Sequence, residues 1–551
     1  MAVAMCGIAG IYAENGAGAG FEGLFAAVRH RGPDAAGVYR DHRLQMGMHR
    51  LRFRGPDTQL PIRAGDAISA YNGQIYGQFA PGGYCGIEDG LEREVEALRG
   101  GDADGMYAYS RYTGDAGALV LATDPHFIKP MFFRREGAAI GFCSELAPLL
   151  KLGGRPRVHS GALAELFAYG WYLSDQTWVR DAFLAWKNDV EVRDGMVRLH
   201  PKNGALAPPA PRGDAGMLRE RIRTSVARST LGIGPLGLAL SGGLDSTILA
   251  YELNALGVED LTCVTVRANG ADDGLESLAE LGLPEGVWRG WKHVVIPIDD
   301  ADFLDAFESA AHAFGQPTTM SSLALYQRLA DGAAEAGVRA LILGEGVDEY
   351  FAGYASYAKV RGGAELNYYR HPPRDAIVNA LFGKSAADAV RDRFGQLYAG
   401  AADLRTIEVQ MRLTRLLLRS DLCLMSRSIE GRVPFLHNGI PAVAMSIPWQ
   451  ELSRAPGKTA LREVYADDLG PRAHGPKVRF KTSDDMLMRC LARAPLHRRI
   501  VAAAGAVLDA DRVDEALGLL SRPDSFDADC ACLLMSLTFL IENGAADGDR
   551  G

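Results

Sequence analysis

Residues Ser241-Gly242-Gly243-Leu244-Asp245-Ser246 lie between an apolar run at 236–240 and a helix-like stretch at 247–256. A strand that passes through small residues into a helix start offers backbone N–H groups and the positive end of a helix dipole to an anion. The missing side chains let a phosphate come close. This is the pattern of a nucleotide site. It is not a Walker loop, which needs Gly, four residues and then Gly-Lys-Ser/Thr, and no G-x-G-x-x-G turn occurs there. A second centre stands near the start of the chain, where Cys6 precedes Gly-Ile-Ala-Gly-Ile-Tyr and residues 29–34 read Arg-His-Arg-Gly-Pro-Asp. Alone, Cys6 reads as a small buried strand residue. As the first residue of a chain it would supply both a thiol nucleophile and a base, its own α-amine with an ordinary pKa of about 8.

These groups need elements to hold them. Short β-runs at 7–12, 67–71, 116–122 and 138–143, punctuated by Gly and Pro, predict a β-rich N-terminal half. The Pro, Gly and Ala-rich stretch 200–216 reads as a linker. Beyond it, strands at 236–240, 261–266, 294–298 and 340–343 alternate with amphipathic helices, which predicts a parallel α/β sheet. From about 355 the pattern is helical, with apolar residues at helical spacing in 407–424, 439–446 and 530–541. The chain therefore reads as α/β multidomain, with domains at 1–205 and 206–551.

A length of 551 residues exceeds what one core usually organises. The net charge of −9, from 68 acidic and 59 basic residues, gives no electrostatic reason to expect a nucleic-acid partner. Eight scattered cysteines show no C-x-x-C or zinc spacing, so they read as reduced thiols of a cytoplasmic protein. The start lacks the charged n-region of a secretory signal, and the apolar stretch 530–541 is too short to span a bilayer, so no membrane segment is expected.

Further motifs carry a resemblance. Asn72-Gly73-Gln74-Ile75-Tyr76, Ile128-Lys129-Pro130 and Ser144-Glu145-Leu146 follow Cys6 and Arg-Gly-Pro-Asp in the first half. Gly344-Glu345-Gly346-Val347-Asp348-Glu349 and 430–436, Glu-Gly-Arg-Val-Pro-Phe-Leu, follow the Ser-Gly-Gly-Leu-Asp-Ser loop in the second. In this order the chain resembles the asparagine synthetase family nearly end to end, and the loop itself resembles the pyrophosphate loop of ATP pyrophosphatases. The resemblance implies an N-terminal Ntn-type α+β glutaminase sandwich and a C-terminal ATP-pyrophosphatase synthetase domain. It also implies ATP and Mg2+, with glutamine and a carboxylic acid such as aspartate as small-molecule substrates, and a homodimer is a candidate assembly.

By the same resemblance Cys6 is the nucleophile of glutamine hydrolysis, which requires a mature chain that begins at Cys6 rather than Met1. Asn72 and the N–H of Gly73 form the oxyanion hole, and Arg50 holds the glutamine carboxylate. The family usually has Asn-Gly-Glu where this chain has Gln74, so Gln74 and Asp89 are the candidates for the rest of the glutamine site. Ser241, Gly242, Gly243, Asp245 and Ser246 would hold ATP, with Val266, Leu343 and Gly344 against adenine and ribose. Asp245 and Asp348 would organise the metal, since magnesium needs only one or two protein carboxylates besides phosphate and water. Lys477, with Lys481 as competitor, matches the lysine that stabilises the transition state. Glu345 matches the residue that takes a proton from incoming ammonia, where β-lactam-forming relatives typically have tyrosine. Leu343 in place of a usual serine, and Met320 in place of an aspartate of one bacterial type, point to an altered acceptor pocket. The rival readings are a relative that joins a carboxylate to another amine, with the glutaminase kept only as structure, and a non-catalytic scaffold.

Overall fold

The computed structural model describes residues 4–16, 18–53, 60–80, 83–86, 98, 103–202, 217–232, 234–268, 275, 277–360, 366–401, 403–475 and 484–544. The expected boundary at 205/206 falls in 203–216, outside the described residues, as do Asp89, Lys477 and Lys481.

The N-terminal half is built from β1 (Ala4–Ala13), β2 (Ala35–Arg40), β3 (Leu44–Arg52), β4 (Ile62–Ala64), β5 (Ala67–Ala80), β6 (Gly83–Gly86), β7 (Ala103–Thr113), β8 (Ala118–Thr123), β9 (Phe132–Glu136), β10 (Ala139–Cys143), β11 (Ala182–Leu184), β12 (Asn188–Arg193) and β13 (Met196–Pro201). Their ladders join in the order β11-β9-β10-β1-β5-β7-β8-β12-β13, with β2 and β3 branching from β1. β1 is buried on both faces: Cys6, Ile8 and Tyr12 enter a core with Met46, Met48 and Tyr71. Ala9 and Ile11 pack on the opposite side against Phe21, Leu24 and Val28. That double burial explains the near-continuous apolar run at 7–12, in which a half-exposed strand would alternate.

The C-terminal half holds β14 (Leu236–Ala239), β15 (Leu261–Ala268), β16 (Lys292–Ile298), β17 (Ala340–Ile342) and β18 (Glu430–Arg432) in the order β16-β15-β14-β17-β18, all parallel. The first four answer to the expected strands. β18 is too short and too polar to carry a strand signal, because Glu430 and Arg432 pair with each other inside the protein rather than facing water. The chain turns one way from β14 to β15 and reaches β17 on the other side, which opens a crevice at the carboxyl ends of β14 and β17. Among the described residues no helix is long and apolar enough to cross a membrane.

One buried cluster fixes the two halves together. Asp421, on the helix Thr414–Met425, takes Arg31 Nη2 at 2.6 Å and Lys129 Nζ at 3.0 Å, while Arg31 Nη1 reaches Glu145 at 3.1 Å. Both cations, and Glu145 with them, come from the N-terminal half. Burial alone would raise the Asp421 carboxyl; Arg31 and Lys129 outweigh it and hold the group below its usual value. Asp421→Asn leaves Arg31 and Lys129 without that charge and is expected to destabilise by roughly 3–5 kcal/mol, read as a fall in calorimetric Tm. Because the folded carboxyl is depressed, its contribution is present above its unfolded pKa of about 3.9 and is lost as pH falls through the folded value. The Tm gap between wild type and variant should therefore narrow in acid and hold steady from neutral pH upward.

Candidate active site

The Ser-Gly-Gly-Leu-Asp-Ser loop leaves β14 and enters the helix Leu244–Ala255 with Gly243 as its first flanking residue. Gly242 takes φ +75°, a left-handed backbone that glycine adopts without strain. The loop is closed by its own hydroxyls: Ser246 Oγ donates to the Gly243 carbonyl at 3.1 Å, and the N–H of Gly243 donates to Ser241 Oγ at 3.3 Å. The helix N-terminus beyond it is an anion receptor. Ser241, Gly243, Asp245 and Ser246 line a cavity of about 240 Å³ together with Val264, Val266, Leu343, Gly344, Glu345 and Asp348.

Two carboxylates converge on one point in that cavity. Lys458 Nζ lies 2.7 Å from Asp245 Oδ1 and 2.7 Å from Asp348 Oδ1, so its ammonium occupies a place where both acids can meet a single cation. Burial would lower the Lys458 pKa, but Asp245 and Asp348 outweigh it and keep the ammonium protonated. The close approach depends on Gly353, where an added Cβ would stand 1.9 Å from Asp348 Oδ1 and 2.2 Å from Lys458 Cε. Lys458 itself is held at φ +59°, a left-handed conformation that costs a non-glycine residue about 1 kcal/mol or more. Strain of that kind persists only where the surroundings enforce it.

Glu345 sits on the same loop, three residues before Asp348, and three partners surround it. Arg419 Nη2 donates to Glu345 Oε1 at 2.6 Å, Ser420 Oγ at 3.2 Å, and the Tyr326 hydroxyl bonds the same oxygen. The Arg419 guanidinium lies 3.7 Å from the Tyr326 ring centroid and donates to Ser322 at 2.6 Å. A carboxylate gripped in this way is fixed in position, which suits it to accept a proton from a neighbouring group.

The N-terminal centre is assembled across neighbouring strands. Cys6 on β1 stands opposite Arg50 on β3 in the ladder, and both are fully buried. The N–H of Cys6 donates to Asn72 Oδ1 at 3.0 Å, while Asn72 Nδ2 is buried without a hydrogen-bond partner. A buried amide donor without an acceptor is costly unless it serves a ligand. Gly73 has φ +136°, and a Cβ there would meet the Met106 carbonyl at 1.9 Å, so no other residue fits. The residues before Cys6 continue β1, and Ala4 pairs with Gly73. Gln74 differs from its expected place beside glutamine: its Nε2 donates to Glu430 Oε1 at 2.6 Å, in the other half of the molecule.

The structure thus brings Asp245, Asp348, Glu345, Val266, Leu343 and the small-residue loop into one cavity, and Cys6, Arg50, Asn72 and Gly73 into another cluster. Sequence reasoning missed Lys458, Tyr326 and Arg419. For Lys458 the available signal was a Pro456-Gly457 turn immediately before it and a helix, Thr459–Val464, immediately after. Arg462 on that helix donates from Nε to the Gly457 carbonyl at 2.7 Å and from Nη1 to the Gly475 carbonyl at 3.2 Å, tying the lysine's turn to the chain that leads toward 477.

A family model described as asparagine synthase matches residues 217–540, and one described as a glutamine amidotransferase domain matches 5–80. The chain is 24% identical to asparagine synthetase B [glutamine-hydrolyzing] of Escherichia coli, over 80% of this chain and 75% of that protein. It is 23% identical to asparagine synthetase [glutamine-hydrolyzing] 3 of Bacillus subtilis, over 81% and 82%. Among solved structures, glutamine phosphoribosylpyrophosphate amidotransferase from B. subtilis overlays 62% of this chain and 82% of its own, with 14% identity and a TM-score of 0.25.

Lys458→Met leaves Asp245 and Asp348 to repel each other and is expected to lower Tm. Added magnesium should recover more of the loss in the variant than it adds to wild type, measured by calorimetry. Equal shifts in the two proteins would show that a divalent cation does not use the position of the ammonium.

Proposed function

The chain belongs to the asparagine synthase family of carbon–nitrogen ligases, and we propose that it is a glutamine-hydrolysing, ATP-dependent amide synthetase in which 1–205 releases ammonia and 206–551 activates a carboxylic acid and amidates it. The observation that carries this reading is the sharing of one cavity by the loop at 241–246, the carboxylates of Asp245 and Asp348, and Glu345. ATP would lay its phosphates over the loop N–H groups and the helix start, with adenine and ribose toward Val266, Leu343 and Gly344. The donor set of Asp245 and Asp348 fits Mg2+, because both carboxylates already share one cation. When bound, Mg2+ would neutralise charge on the phosphates. The acid attacks the α-phosphorus, pyrophosphate leaves, and an acyl adenylate remains. Lys458, released from the carboxylates, is placed to follow the departing pyrophosphate, with Lys477 as a second cation. Ammonia then attacks the acyl carbon, Glu345 takes its proton, and AMP leaves with the amide formed.

On the glutaminase side, Cys6 Sγ attacks the side-chain amide of glutamine while Asn72 Nδ2 and the N–H of Gly73 receive the oxyanion; the amide C–N bond then breaks, ammonia leaves, and water hydrolyses the γ-glutamyl thioester to glutamate and free thiol. Arg50 holds the glutamine carboxylate. The pairing of Ala4 with Gly73 sets the residues before Cys6 against that oxyanion edge, which supports maturation to a chain beginning at Cys6. An acid other than aspartate is the second reading for the acceptor, and one observation favours it. Among the described lining residues, the carboxylates of Asp245, Asp348 and Glu345 are engaged by Lys458, Arg419 and Tyr326. An α-ammonium would have to share a carboxylate that already faces a cation, whereas Leu329, Leu416 and Tyr354 supply apolar wall.

A panel of carboxylic acids scored by pyrophosphate release tests the assignment, and absence of ATP-dependent pyrophosphate release with every acid would overturn it. Cys6→Ala should abolish glutamine use and retain amide formation from ammonium. Asn72→Ala should cut glutamine-dependent kcat by about 10²- to 10³-fold with little change in ammonium-dependent kcat. Intact mass should place the N-terminus of glutamine-active protein at Cys6; full activity with Met1 retained would contradict the maturation step.

A further inference from the structure

A second cavity, of about 470 Å³, lies where the two halves meet and shares no residue with either centre. Trp186, Lys187 and Lys202 line it from the N-terminal half, and Tyr398, Thr406 and Gln410 from the C-terminal half. Its volume falls in the range of small-molecule sites, roughly 300–1,000 Å³. Leu397, exposed on its rim, marks where it opens to solvent.

The charge inside it is unbalanced. Lys187 lies between β11 and β12, and its Nζ donates to the Leu173 carbonyl at 2.9 Å. The same ammonium is 4.8 Å from the Trp186 ring centroid and 5.9 Å from that of Tyr398. The carboxylates that act on it are spent on other donors. Asp175 takes the N–H of Lys187 at 2.7 Å and Asn188 Nδ2 at 2.6 Å, while Glu165 takes Arg393 at 2.6 Å and the N–H of Leu173 at 2.9 Å. Burial outweighs their attraction, with Arg393 acting in the same direction, and brings the Lys187 ammonium down to about 8. Lys202 differs, since it donates to Thr123 and to the Ala185 carbonyl at 3.0 Å and has Asp189 at 3.6 Å, with the charges of Asp124 and Asp175 behind it. One cation without an ion-pair partner among the described residues therefore stands beside two flat rings.

Those rings are fixed. Trp186 and Tyr398 are both buried, Trp186 meets Trp171 edge-on at 6.0 Å, and the Tyr398 hydroxyl donates to Gln410 Oε1 at 3.2 Å. That bond leaves Gln410 Nε2, with the Thr406 hydroxyl four residues earlier, for a second polar group of a ligand. A lone cation between aromatic faces suits a monoanion with a planar apolar body, whereas a phosphate calls for more charge and more donors.

We propose that this cavity is a binding site for a small aromatic monocarboxylate, with the carboxylate on Lys187 and the ring between Trp186 and Tyr398. Occupancy ties the Trp186–Lys187 turn to the end of the helix Lys384–Tyr398 and to Gln410, whose helical segment Val409–Leu413 runs directly into Thr414–Met425. The site thus bears, from outside both centres, on the helix that carries Arg419 and Asp421.

Titration calorimetry with phenylacetate, phenylacetamide and acetate tests this, because the second lacks the charge and the third lacks the ring. Phenylacetate should bind about tenfold or more tightly than either, and should raise Tm. Lys187→Met should weaken phenylacetate by about tenfold, as for loss of a hydrogen bond to a charged group. From pH 7 to pH 9 wild-type affinity should fall by about tenfold as Lys187 loses its proton, because the anion needs the charged form. Lys187→Arg keeps its charge over that range and should bind with the dependence flattened. Phenylacetamide binding within about twofold of phenylacetate, folded Lys187→Met binding within about twofold of wild type, or no saturable heat with phenylacetate at millimolar concentration overturns the site. None of these readouts passes through ATP or glutamine, so the site stands or falls apart from the function proposed above.

Discussion

Asp421 is the constraint on which both centres depend. A carboxylate taken out of water is costly, and in this protein its compensation comes entirely from the other half of the molecule, through Arg31 and Lys129. The helix that carries Asp421 therefore depends on the docking of the two halves. The residues immediately before Asp421, Arg419 and Ser420, grip Glu345, and the residues after it, Leu424 and Met425, pack beside β17 and β18. A shift of the N-terminal half would carry the helix, and with it the group that receives a proton in the cleft.

The same logic of compensated charge runs through the cleft. Asp245 and Asp348 are brought together by the crevice between β14 and β17, and two adjacent carboxylates need a cation. Lys458 supplies it from a strained turn, with Gly353 leaving room. Glu349, buried next to Asp348, is pushed up to about 7 by burial and by that neighbour, so the local negative charge is kept from growing further. A site in which a tethered ammonium holds the carboxylates in place is preorganised for a cation of higher charge, and the reorganisation on exchange is confined to one side chain.

Much of this was legible in the sequence because it is local. The loop at 241–246, the Gly-Glu-Gly-Val-Asp-Glu run and the Asn-Gly turn are each short strings in which glycine positions and acids share one backbone turn, and the parallel strands carry continuous apolar runs. What was not legible is what tertiary contact creates. Lys458 lies 110 residues beyond Asp348 and reads as an ordinary solvated lysine until burial is known. Arg419 and Tyr326 look like members of helical patterns, which they also are. Glu430 and Arg432 read as polar loop because a three-residue strand has no periodicity to detect. The stretch 200–216 reads as a linker from composition, but its first two residues close β13 and 203–216 lies outside the described residues.

Gln74 shows why a departure from a family pattern has to be read in three dimensions. Considered along the chain, the loss of an acid beside Asn72 and Gly73 reads as a weaker hold on the glutamine ammonium. Considered across the halves, a neutral amide is what the buried Glu430 requires: it can donate to a carboxylate that already receives Arg432, and it adds no second negative charge. An amide here is thus worth a charge-assisted hydrogen bond, whereas an acid would add a like-charge contact in a medium of low dielectric. The magnitudes favour the amide at this position whatever it costs in glutamine affinity, and they make the strand that carries the oxyanion hole mechanically continuous with the sheet that carries Glu345.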